Sequence, residues 1–121
     1  MRPLSQEESE VLGALLGMVP SNAKPPSEDE LFAVDLRDGG MGSIRLTDKS
    51  DRPRKMGSEL VTAHYIDEDQ IPAIISINLD QEGRLFEMDF WKVDFSPLKR
   101  YPMPEELKQG QPSAPSSGGR G

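Results

Sequence analysis

Two four-residue links constrain this chain more than any other feature: DEDQ at 67–70 and DQEG at 80–83, each set between runs dense in β-branched and aromatic side chains. Links this short cannot return the chain to start a parallel strand. The runs at 60–66, 71–79 and from Leu85 onward must therefore pair as successive antiparallel hairpins. In the middle run, Ile71, Ala73, Ile75, Ile77 and Leu79 share one face, while Ile74 on the other marks a strand partly covered on both sides. Pro72 is confined to its beginning, where a missing N–H is tolerable. Asp80 and Gly83, first and fourth in their link, suit a type I turn leading into a bulge.

Upstream, alternation at 31–37 puts Phe32, Val34 and Leu36 on one face, and 43–46 does the same for Ile44 and Leu46. DGGMG at 38–42 joins these two strands as a hairpin. Its glycines could also curve into an anion-binding nest, but no helix and no lysine follow. Ser5 and Glu8 have the spacing of a capping box, and Val11, Leu12, Leu15, Leu16 and Val19 then recur as a helical stripe that Pro20 ends. Residues 20–29 read as an extended connector and 47–57 as an exposed loop. The expected architecture is α+β: an N-terminal helix packed on a five-stranded antiparallel meander sheet, one domain over 1–104. Residues 105–121 are expected to form a disordered polar tail.

The 121 residues, 35% hydrophobic, suffice for one core without disulfides. With no cysteine, thiolate metal sites and cysteine nucleophiles are excluded. Glu7, Glu8 and Glu10 interrupt the N-terminal apolar residues, so neither a signal peptide nor a membrane span is expected and the default compartment is the cytoplasm. A net charge of -7 repels nucleic acid and anionic lipid and favours a basic protein partner. Lys49, Arg52, Arg54 and Lys55 form the one basic cluster, but Asp48 and Asp51 are interleaved and no aromatic platform accompanies them. Neither nucleic acid nor membrane is an expected partner.

Candidate chemistry concentrates in LFEMDFWKVDFSPL at 85–98. Alternation puts Phe86, Met88 and Phe90 on the core face, and Leu85, Glu87, Asp89, Trp91 and Val93 on the other. The plainest reading has Glu87 and Asp89 on the solvent side, paired with Lys or Arg of an adjacent strand, and Trp91 capping the core edge. A sharper reading makes Glu87, Asp89, Trp91 and Asp94 a surface for a basic protein, since tryptophan is enriched at binding hot spots. A third has Asp80, Glu87, Asp89 and His64 converge on a divalent cation. His64 is the sole histidine, and no nucleophile, base and orienting group are visible together. The expectation is a non-catalytic protein-binding module, of the kind of an immunity-type inhibitor of a basic partner, with no cofactor, catalytic residue or metal ligand. The alternative is a metal-dependent hydrolase or small-ligand-binding protein using the carboxylates.

The LFE and WKVDFSPL elements of 85–98, DGGMGS at 38–43 and the strand end Asn78, Leu79, Asp80 together resemble a family of small uncharacterised bacterial proteins over about residues 2–101. The resemblance implies a single domain and supplies no catalytic residues. Gln70 departs from it, standing where that family's turn is expected to hold a glycine.

Overall fold

The computed structural model of the chain describes residues 1–26, 30–37 and 40–112. Helix α1 (Gln6–Leu16) begins where the capping box was expected: the Ser5 hydroxyl accepts from the Glu8 N–H at 3.1 Å, and the Ser5 N–H donates to Glu8 Oε1 at 2.8 Å. Arg2 grips the same carboxylate with two N–H groups, each at 2.8 Å, and donates to Asp35 as well. These bonds join the N-terminus, the helix start and the strand that holds Asp35, and Arg2 holds the Glu8 carboxyl below its ordinary range despite burial. The helix stops short of Pro20. Met18 and Val19 donate instead to carbonyls three residues back, which tightens the last turn and sinks Val19 into the core. A single 3-10 turn, Ser21–Ala23, interrupts the expected connector.

Among the described residues the sheet has seven strands rather than five: β1 (Arg2–Pro3), β2 (Phe32–Asp35), β3 (Ile44–Thr47), β4 (Met56–Ile66), β5 (Pro72–Asp80), β6 (Leu85–Lys92) and β7 (Lys108–Gln109). All pairings are antiparallel, in the order β1-β2-β3-β6-β5-β4-β7. Strands β4, β5 and β6 form the predicted consecutive hairpins, but the arrangement is not a simple meander. β3 pairs with β6, so the following loop crosses to the far side of the sheet. Arg54 anchors that loop, donating to the carbonyls of Leu46 at 2.6 Å and Leu85 at 2.9 Å and to Asp80 at 3.2 Å, with its guanidinium 5.0 Å above the Phe86 ring. The loop expected to be exposed and basic is thus largely self-neutralised: Lys49 pairs with Glu30, and Arg52 with Glu82 and Asp48.

Residues 105–112, assigned to the tail by composition, contribute to the 3-10 turn Pro104–Glu106 and to β7, and Leu107 is buried in the core. A lone leucine and a two-residue strand leave no periodic signal. Residues 113–121 lie outside the described residues.

Val11, Leu12 and Leu15 of α1 pack on one face of the sheet, against a cluster that includes Ile44, Leu46, Ala63, Ile75, Ile77, Met88 and Phe90. Two expected faces are corrected. On β2 the fully buried residue is Ala33, paired with Leu46, whereas Val34 pairs with Arg45. On β6 a bulge opposite Asn78 and Leu79 absorbs Phe86: Leu85 joins the core and Phe86 packs under Arg54. Among the described residues, no second helix or sheet covers the opposite face.

Candidate functional site

The uncovered face is organised in rows by strand register. Trp91 on β6 lies beside Ile74 on β5 and then His64 on β4; Asp89 lies beside Ser76 and then Thr62. A third row runs Arg45, Glu87, Asn78, Glu59 across β3, β6, β5 and β4. Three of the predicted site residues, Glu87, Asp89 and Trp91, therefore share one face. The middle of that face is closed by its own polar groups. Asn78 Nδ2 donates to Asp89 Oδ2 at 2.8 Å, and the Thr62 and Ser76 hydroxyls share a hydrogen bond at 3.1 Å.

Register places Arg45 next to Glu87, the cross-strand ion pair that the plainest reading of the sequence expects. Arg45 turns away instead, giving Nε and Nη2 to the two carboxylate oxygens of Asp51 at 3.2 and 2.9 Å. Among the described residues the side chains of Glu87 and Glu59 form no hydrogen bond or ion pair. Carboxylate charge is thus left on both sides of Asn78, because Arg45, the cation of the row, is committed to Asp51.

Beyond β6 the chain turns sharply. Asp94, the fourth predicted residue, does not join the face: its Oδ1 accepts the Ser96 hydroxyl at 2.6 Å and the Ser96 N–H at 3.0 Å, and these bonds hold its carboxyl below the ordinary range. The turn it caps presents Phe95, 66% exposed, with φ at 62°, a left-handed conformation that an aromatic residue rarely adopts. Phe95 meets Trp91 edge to face, with centroids 5.6 Å apart; Trp91 itself is 41% exposed and Val93 is exposed as well. Beside this aromatic ridge lies a groove of about 640 Å³, with Ile74, Ser76, Asn78 and Trp91 among its walls and Met56 and Glu59 at the β4 side.

The ridge is fixed from behind by a residue that the sequence reading passed over. Lys92 is fully buried, its Nζ bonded to Asp67 at 2.9 Å, to Asp69 at 2.5 Å and to the Pro97 carbonyl at 3.2 Å. Asp67 also accepts the N–H groups of Glu68, Lys99 and Arg100. A sequence signal did exist: Lys92 follows Met88 and Phe90 on the core face of β6, opposite the acidic link at 67–70. Lysine on such a face requires a buried partner.

The motifs that carry the family resemblance meet here. The Leu98 N–H donates to the Gly40 carbonyl at 3.0 Å, and Gly40, at φ +84°, would bring a Cβ within 3.3 Å of Pro97. The Ser43 hydroxyl accepts from the Phe90 N–H and donates to the Phe90 carbonyl, at 2.9 and 3.2 Å. The first two residues of the DGGMGS motif lie outside the described residues. The rest of it forms a structural joint with the segment after β6.

The carboxylates considered for an ion are not brought together. Asp80 is buried, accepting from Glu82 and Arg84 N–H groups and pairing with Arg54, and His64 is bonded through Nδ1 to the Gly110 carbonyl at 2.8 Å. Among the described residues no group of three or more His, Cys, Asp or Glu side chains is arranged to hold a metal ion. No helix among them is long and apolar enough to cross a membrane.

The profile of a family described as a domain of unknown function matches residues 1–102. No curated protein and no solved structure matches the chain.

Proposed function

We propose, for a chain that belongs to the DUF6984 family, that it is a non-catalytic protein-binding module whose uncovered sheet face docks a basic protein. The observation that carries this reading is the exposed pair of Trp91 and Phe95 at one end of a face on which the Glu87 and Glu59 side chains form no ion pair among the described residues. Large aromatics exposed on a rigid strand and a capped turn bind with little loss of side-chain entropy, and the neighbouring negative charge steers a positive partner. Inhibition of a basic enzyme, in the manner of an immunity protein, is the form of this activity suggested by small size and net charge of -7. That analogy concerns size and charge alone.

The test is affinity capture from the source cell with wild-type protein, Trp91→Ala and Glu87→Lys, followed by calorimetry on each basic protein retained. Support consists of a basic protein that binds the wild type, elutes with salt and is lost with both variants. Retention of the same proteins by all three chains contradicts the assignment of this face.

A further inference from the structure

Resting on that reading, we infer that the open face recognises an extended basic segment, with a cationic side chain over the Glu87, Asn78, Glu59 row and an apolar one against Trp91. The first support is charge complementarity. Arg45, the cation that register supplies to the row, is committed to Asp51, so negative charge remains on β6 and β4 with the neutral Asn78 between them. The second is spacing. Glu87 and Trp91 are four residues apart on β6, about 13 Å at strand rise. Residues i and i+4 of an extended peptide lie on one side of the chain at nearly the same distance. The groove runs from its aromatic wall at Trp91 past Ser76 and Asn78 to Glu59, with Arg37 also on its wall, and Glu87 stands outside it as the register neighbour of Asn78.

The chain's one tryptophan is the aromatic wall itself, so its emission reads out occupancy without a label. Three probes separate the contributions: acetyl-Arg-Gly-Ser-Gly-Leu-amide, the same peptide with Glu in place of Arg, and acetyl-Arg-Leu-Gly-Ser-Gly-amide. The first should give a saturable change in Trp91 emission at low salt, with the other two at least about fivefold weaker, a difference that corresponds to roughly 1 kcal/mol. The double variant Glu59→Gln, Glu87→Gln, which keeps side-chain size and alters only exposed or half-buried positions, should weaken the first peptide by a similar factor. Equal response to all three peptides, or an unchanged affinity in the double variant, overturns the inference. No saturation with the first peptide while Trp91→Ala still abolishes capture of a basic protein overturns the extended-segment recognition and leaves the face in place. Failure of both experiments overturns the binding face as well.

Discussion

Lys92 Nζ lies 2.9 Å from Asp67 Oδ2, and both side chains are wholly shielded from solvent. Burial alone pushes the Asp67 carboxyl up, but the Lys99 N–H, the Lys92 ammonium and the Glu68 N–H outweigh it and hold the group below its ordinary value. Burial likewise pulls Lys92 down, and the bonds from Asp69 and Asp67 reverse this and raise it. The stability contributed by Asp67 is therefore present above its unfolded pKa, about 3.9, and lost as pH falls through the lower folded value. That of Lys92 is complete below its unfolded pKa, about 10.4, and lost as pH rises through the higher folded value. Between those limits the cluster contributes a constant amount. Asp67→Ala, which leaves the buried ammonium with Asp69 as its one carboxylate and three N–H groups without their acceptor, should cost about 3 kcal/mol or more. In urea melts taken from pH 7 to pH 3, Asp67→Asn should lose less stability on acidification than the wild type. Parallel pH profiles would contradict the assignment.

Gln70 adopts φ of 70° in the link between β4 and β5, with its N–H donating to the Asp67 carbonyl at 2.9 Å. The glycine that the family resemblance leads one to expect there suits this backbone, because a side chain in the left-handed region costs about 1 kcal/mol or more. Gln70→Gly should raise stability by about 0.5 kcal/mol once the greater freedom of glycine in the unfolded chain is deducted. An upward shift in the urea midpoint at unchanged m-value checks this.

What could be read from the sequence follows the range of the interactions involved. The capping box of Ser5 and Glu8, the helical stripe and the two hairpins at 67–70 and 80–83 are local, so spacing alone reveals them. The pairing of β3 with β6 is not local, because an apolar strand pattern does not specify which neighbour it takes. It is secured by long-range bonds such as Ser43 to Phe90 and by the Arg54 anchor. The bulge at Phe86 defeats strict alternation, since one extra residue exchanges the faces of Leu85 and Phe86. Of the site, Glu87, Asp89 and Trp91 were legible as one face. The diversion of Arg45 to Asp51 and the buried Lys92 were not, because both depend on which loop acid lies within reach in the folded chain.

Phe95 combines a left-handed backbone with the greatest exposure among the large hydrophobic side chains of the described residues. Strain of this kind, roughly 1 kcal/mol or more, persists where surrounding structure imposes it, here through the Asp94 cap and the Lys92 cluster. Asparagine tolerates the same backbone, so Phe95→Asn should leave stability within about 1 kcal/mol of wild type, strain relief offsetting the lost contact with Trp91. Its affinity for a basic partner captured by the wild type should fall at least about thirtyfold, the loss of about 2 kcal/mol that marks a hot spot. Thermal melting together with calorimetry separates the two effects. Normal binding by a stable variant would remove Phe95 from the surface.

The central claim is that the face bearing Trp91 is where the protein meets its partner. Titrating a captured basic protein, or its tryptophan-free variant, while following the emission of Trp91 tests this most directly, because the chain holds no other tryptophan. The account predicts a blue shift that saturates at the calorimetric stoichiometry and weakens as salt is added. Binding established by calorimetry with no change in Trp91 emission, and with full affinity retained by Trp91→Ala, would contradict it.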